Sequence, residues 1–231
     1  MAQPPETNEA FLREVDEELS YDRLMGFARS YGRTVLIIIG LGLAGLAGGL
    51  WWHSHQADVA GQQGEQLSAA IKDLSAGKAD GVSAKLAPLL ANGNEGYRAS
   101  AKLLTASMAQ EKGDLAGAIA GFKAVAADTN LDQNWRDVAL VRQTAAEYDT
   151  LAPDVVIDRL KGLSIPGKPW FGTAGEMVAI AYLKQNKPNL AAPLFAEIAR
   201  DKTIPPSIAD RARQMATSLG ADVPIDSKDK S

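Results

Sequence analysis

Residues that carry out chemistry are scarce in this chain of 231 residues. Cysteine is absent and histidine occurs twice. That removes thiol nucleophiles, disulfide frameworks and Cys/His zinc sites. The two histidines stand together as His53-Ser54-His55, and a metal held by both would need carboxylates converging on them. Asp58 is the one acid nearby in sequence. Their position directly after Trp51-Trp52 suits a structural or interfacial use better. No serine nucleophile elbow, Walker loop or GxGxxG follows a predicted strand, because no strand is predicted. Asp and Glu are plentiful, but at helical spacing they read as solvated faces and i,i+4 partners. The formal net charge of −4 offers no basic face for phosphate neutralisation. The expectation is a protein with no cofactor, no metal, no catalytic residues and no nucleic-acid partner.

A chain without chemistry works through what it holds, so the elements that would form its surfaces come next. The run Thr34-Val-Leu-Ile-Ile-Ile-Gly-Leu-Gly-Leu-Ala-Gly-Leu-Ala-Gly-Gly-Leu-Trp51-Trp52 is 19 residues without a charge. As a helix it spans about 28 Å, the thickness of a bilayer core. Tyr31 and Arg33 stand at one end, and Trp51, Trp52 and His53 at the other, where interfacial anchors belong. The small residues Ala44 to Gly48 would suit a signal-peptide cut, but the preceding 33 residues are acidic and the apolar stretch exceeds a usual signal core. An uncleaved transmembrane helix over 34–52 is therefore predicted. Arg23, Arg29 and Arg33 precede it, whereas the first basic residue after it is Lys72. The positive-inside rule then keeps the N-terminus in the cytoplasm and exports residues 53–231 to the periplasm of a bacterial host.

Within this segment Gly40, Ala44 and Gly48 recur every four residues, with Gly45 and Gly49 as an adjacent pair. Such spacing lets helix backbones pack closely in lipid, and glycine is also simply common in membrane helices. Both readings stand. The tail before it, Glu9 to Arg33, sets Phe11, Val15, Leu19, Leu24 and Phe27 among acids and arginines at near-helical spacing. It reads as a short amphipathic helix that either docks on a protein or leads into the anchor.

Beyond Gln56 the chain is rich in Ala and Leu and lacks alternating β-branched runs, so helices are predicted throughout. Breaks at Gly77, Asn92–Asn94, Lys112–Asp114, Asp128–Asp132, Leu151–Pro153, Ser164–Pro169, Asn186–Asn189 and Ile204–Pro206 divide it into about eight helices and a last one, Ser207 to Leu219. Pro88 should kink its helix, while Pro193 is placed in a first turn. The stretch Gly113-Asp-Leu-Ala-Gly-Ala118-Ile-Ala-Gly-Phe122-Lys-Ala-Val125 resembles the second half of a tetratricopeptide repeat. There a small residue lets two helices touch, and an aromatic four residues later fills the gap to the next hairpin. Ala191, Phe195 and Ile198 repeat that spacing, preceded by Ala179 and Tyr182. Val82, Leu86 and Leu89 carry it after Gly77, and Val156 and Leu160 fit a degenerate unit near Leu151. The turns fall at about 77, 113, 150 and 186, close to a 34-residue period. The tryptophan frequent in the first helix of that family is missing. Trp170, after Pro166-Gly-Lys-Pro169, reads as a staple at a hairpin junction.

The predicted fold is all-α: a single N-terminal transmembrane helix followed by a tetratricopeptide-like solenoid of helical hairpins. Its parts are a cytoplasmic tail (1–33), the anchor (34–52), a periplasmic domain (53–219) closed by the capping helix, and a polar disordered tail (220–231). Counting from the turns, Leu103, Ser107 and Gln110 of the second unit and Glu176, Ile180 and Leu183 of the fourth lie on the face formed by first helices. They are the candidate partner-binding groove, and some suit the hairpin core equally well.

From Asp16-Glu-Glu-Leu to Leu219 this layout resembles the YfgM-type ancillary subunit family of the SecYEG translocon. The resemblance implies an inner-membrane protein that associates with SecYEG and with a PpiD-type periplasmic chaperone and helps newly exported chains on their way. It also implies a regulator for the cytoplasmic tail. A second reading is a scaffold for envelope or cell-division assembly acting as a homo-oligomer.

Overall fold

The computed structural model describes residues 7–222, with side chains from residue 31 onward except at positions 32 and 35. The described residues form nine helices and no strand. They are α1 (Thr7–Ser75), α2 (Val82–Asn92), α3 (Glu95–Glu111), α4 (Leu115–Ala126), α5 (Gln133–Glu147), α6 (Pro153–Leu160), α7 (Phe171–Lys184), α8 (Pro188–Arg200) and α9 (Pro206–Ser218). The chain divides into two units, Met1–Gly61 and Gln62–Ser231.

In the first unit, α1 runs without interruption through the acidic tail, the apolar run and the polar residues that follow. The five glycines of the run do not end it. None has a positive φ, and no proline stands between Thr7 and Ser75. The amphipathic face expected at Phe11, Val15, Leu19, Leu24 and Phe27 lies outside the described side chains. The large apolar side chains from Leu36 to Trp52 are all exposed, from 51% at Ile39 to 72% at Leu50. A helix apolar all round and covered by nothing is stable in hydrocarbon, not in water. Among the described residues this is the one helix long and apolar enough to cross a membrane.

The second unit begins within α1, and its helices pair in order: the end of α1 with α2, then α3 with α4, α5 with α6 and α7 with α8, followed by α9. The expected periodicity is visible as burial. Val82, Leu86, Leu89, Ala118, Phe122, Val125, Val156, Leu160, Ala191, Phe195 and Ile198 are at most 2% exposed. A further periodic position, which the sequence reading named only at Ala179, sits in the first helix of each hairpin. It holds Ala70, Ala106, Thr144 and Ala179, all buried.

Four turns close with the same pair of hydrogen bonds. Lys78 N–H donates to the Asp73 carbonyl at 2.8 Å and Gly77 N–H to Leu74 at 2.9 Å. The pairs Asp114 to Ala109 and Gly113 to Gln110, Lys187 to Tyr182 and Asn186 to Leu183, and Ala221 to Ala216 and Gly220 to Thr217 repeat it. Each turn has its closing residue, Gly77, Gly113, Asn186 or Gly220, in the left-handed region. This is the Schellman closure, in which glycine avoids the Cβ penalty. The third hairpin differs: Thr150 and Leu151 N–H both donate to the Glu147 carbonyl, and no residue of that turn is left-handed.

Two expectations change. Pro193 is not in a first turn, since α8 starts at Pro188; like Pro88 in α2 it sits inside its helix. Both prolines and the residues four before them, Ala84 and Asn189, are exposed, so water reaches the carbonyls left without an N–H. The polar tail does not begin at Gly220. That glycine closes α9, Ala221 packs on the last core cluster, and Arg200 donates to the Asp222 carbonyl at 2.6 Å. Residues 223–231 lie outside the described residues. α9 buries Ala209, Ala212 and Ala216 against α8 and turns Asp210, Arg211 and Gln214 outward, as a polar-faced cap does.

Candidate functional site

The first helices of successive hairpins touch in turn: α3 with α5, α5 with α7, and α7 with α9. Of the six residues named from the turns, Leu103, Ser107 and Gln110 stand on α3 and Glu176, Ile180 and Leu183 on α7. Leu103 is half-buried between the cluster of Ala106, Ala118 and Phe122 and that of Val125, Leu131 and Ala139. Ser107 is half-buried and Gln110 exposed. Ile180 and Leu183 are half-buried against the cluster built by Phe195, Ile198 and Ala212. The three apolar positions thus belong partly to the hairpin core, with an edge left accessible. The Glu176 carboxylate accepts two hydrogen bonds from the Arg211 guanidinium, at 2.9 and 2.8 Å, which ties α7 to α9. The bonds and charge of Glu176 in turn raise the Arg211 pKa.

Between the two predicted groups lies α5, whose contribution the sequence reading omitted. The Tyr148 hydroxyl donates to the Met177 carbonyl at 2.9 Å, and the Lys184 ammonium sits 4.3 Å from the centre of its ring. Burial, with the charges of Asp149 and Glu176 adding to it, pushes the Tyr148 pKa up to about 12. The phenol therefore remains a neutral donor at ordinary pH. Ala145 is exposed one turn earlier. Register was the available signal, because Tyr148 stands in the third unit where Gln110 stands in the second. Charges on this face are engaged within the chain, Glu176 by Arg211 and Lys184 by an aromatic ring. What the face offers a ligand is apolar edges, amide and hydroxyl groups, a means of holding polypeptide.

On the apolar helix, Gly40, Ala44, Gly48, Gly45 and Gly49 are exposed. A Cβ added at any of the four glycines would meet nothing within 4 Å. The His55 ring stacks on Trp51 one turn earlier, with ring centres 5.6 Å apart and planes 5° from parallel. His55 thus extends the aromatic end of the apolar run.

Hairpins that repeat every 34 to 38 residues, with a small residue in the first helix and a buried aromatic or aliphatic pair in the second, define the tetratricopeptide class. The family model for the tetratricopeptide repeat-like domain matches residues 26–197, and the chain belongs to that family. Among curated proteins it is similar to the ancillary SecYEG translocon subunit of Escherichia coli (strain K12), with 27% identity over 159 residues. The match covers 69% of this chain and 75% of that protein. No solved structure matches.

Proposed function

We propose that this protein is a non-catalytic, membrane-anchored protein-binding scaffold that serves as an ancillary subunit of the SecYEG translocon. The observation that carries the reading is a bilayer-length apolar helix, bare on every side, in the same chain as a tetratricopeptide repeat-like unit. One part supplies residence in a membrane and the other a face for polypeptide. The distant translocon-subunit relative gives that combination its setting. The arginines before the apolar run place the N-terminus in the cytoplasm and the hairpins in the periplasm of the inner membrane. There the face of α3, α5 and α7 takes up a PpiD-type chaperone. Gly40, Ala44, Gly48, Gly45 and Gly49 form the side of the anchor that meets a membrane helix of the translocon.

Two measurements test this. A photo-crosslinking residue at Gly45 or Gly49 in native membranes should yield a product with a translocon subunit. Products only between copies of this chain would favour the homo-oligomeric scaffold and overturn the translocon assignment. Ile180→Asp with Leu183→Asp should abolish co-purification of the chaperone while helicity by circular dichroism is retained. Because both side chains are half-buried, the exposed Ala145→Arg is the companion variant, and undiminished capture by it as well would remove this face from the binding role.

A further inference from the structure

We infer that the seam between α5 and α6 is a hinge, about which two stacks of hairpins, the end of α1 through α5 and α6 through α9, open and close. The second helices α4 and α8 pack closely on the first helices of their own hairpins, α3 and α7, whereas α6 rests chiefly on α7, the first helix of the next hairpin. The turn joining α5 to α6 is the one repeat turn without a left-handed residue and Schellman closure. It runs instead through Thr150, Leu151 and Ala152 to Pro153. Hinges are short element-terminal stretches of this kind that absorb changes in φ and ψ.

The chemistry of the seam differs as well. Where the other hairpins bring a buried alanine to the first helix, α5 has Thr144, its hydroxyl donating back to the Leu140 carbonyl at 2.8 Å. Beside it the buried Gln143 amide donates to the Glu147 carboxylate at 3.3 Å, and Glu147 pairs with Arg159 of α6. The apolar contribution of α5 to the far stack is Val141 and Tyr148. Tyr148 adds its bond to the Met177 carbonyl and its contact with Lys184. Interdigitated apolar side chains resist sliding, whereas partly exposed ion pairs and hydrogen bonds exchange with water at small cost. A seam crossed by polar pairs and by only Val141 and Tyr148 as apolar links therefore separates before either block does. Its use depends on the groove proposed above: Leu103, Ser107 and Gln110 lie on one stack and Glu176, Ile180 and Leu183 on the other, so hinge motion sets the width between them. The motion itself is independent of that assignment.

The absence of cysteine makes the test clean. Spin labels on Glu111→Cys with Gln214→Cys report across the seam, and labels on Lys187→Cys with Gln214→Cys report within one stack. With the full-length chain in nanodiscs, double electron–electron resonance should give an across-seam distance distribution about twice as broad as the within-stack one. Replacing the seam by Thr144→Ala, Glu147→Leu and Arg159→Met should narrow it to the within-stack width. An across-seam distribution already as narrow as the control in the unaltered chain would overturn the hinge, whatever the chaperone experiment shows. That reading needs no sealed variant, so a failure of the triple variant to fold leaves the test intact.

Discussion

At the scale of single residues, what decides this molecule is how closely two helices approach. A Cβ added to Gly121 would lie 2.8 Å from the Ala106 Cβ, so α3 and α4 meet at a point with no room for a side chain. Gly121→Val should destabilise the hairpin unit by about 1–3 kcal/mol, the usual cost of overpacking. Phe122, fully buried next to it, should cost about 3–5 kcal/mol as Phe122→Ala. Chemical denaturation checks both, and similar losses from Leu115→Ala, whose side chain is 45% exposed, would contradict the assignment of the core. The Ala118, Phe122, Val125 spacing was legible in the sequence because a helix repeats every 3.6 residues, so burial leaves a period in residue type. The Gly121 contact was not, since a glycine needed for close approach looks like any other until its neighbour is known. Nor was the half-burial of Leu103, Ile180 and Leu183, which depends on which helix packs beside them.

Helices show the same division. Their number follows from glycine, proline and asparagine breaks, whereas the residues the last helix buries, Ala209, Ala212 and Ala216, follow from its packing on α8. Turn conformation is a finer matter: Asn186 holds φ 56°, a left-handed value that glycine adopts at Gly77, Gly113 and Gly220. Asn186→Gly should therefore stabilise the fourth hairpin by about 0.5–1 kcal/mol by relieving that conformation. Thermal unfolding reads it out, and a lowered midpoint would contradict the turn geometry. The misplacement of Pro193 had a specific cause. Pro188 starts α8 earlier than the Asn186–Asn189 break suggested, and a proline at a helix start and one inside an exposed helix look alike when solvent can take the freed carbonyl.

For the molecule as a whole, two ion pairs, one between α1 and α2 and one between α3 and the loop after α4, tie stability to pH. Hydrogen bonding from Lys85 holds the Asp73 carboxyl below the ordinary 3.8, and that from Lys102 does the same for Asp128. A carboxylate whose pKa is lowered on folding contributes stability that is complete above its unfolded value and lost as pH falls through the folded one. The midpoint of unfolding for the Gln62–Ser231 unit, followed in the full chain, should thus show no loss from these pairs between pH 7 and about 5 and a fall below about pH 4. Asp73→Asn with Asp128→Asn should make that fall shallower, and an unchanged acid slope would remove the two pairs from the account. Both pairs keep part of their surface in solvent, so the effect should also shrink in high salt. The sequence by itself determined the helical class, the apolar bilayer-length run and the hairpin period, because each is a one-dimensional pattern imposed by helix geometry or membrane thickness. Only the tertiary structure decided that Tyr148 bonds to Met177 of α7 and that Glu176 is held by Arg211. It alone also gave the third hairpin its polar seam. Contacts between residues 29 to 35 positions apart depend on how packed helices settle against one another, and no local spacing records that.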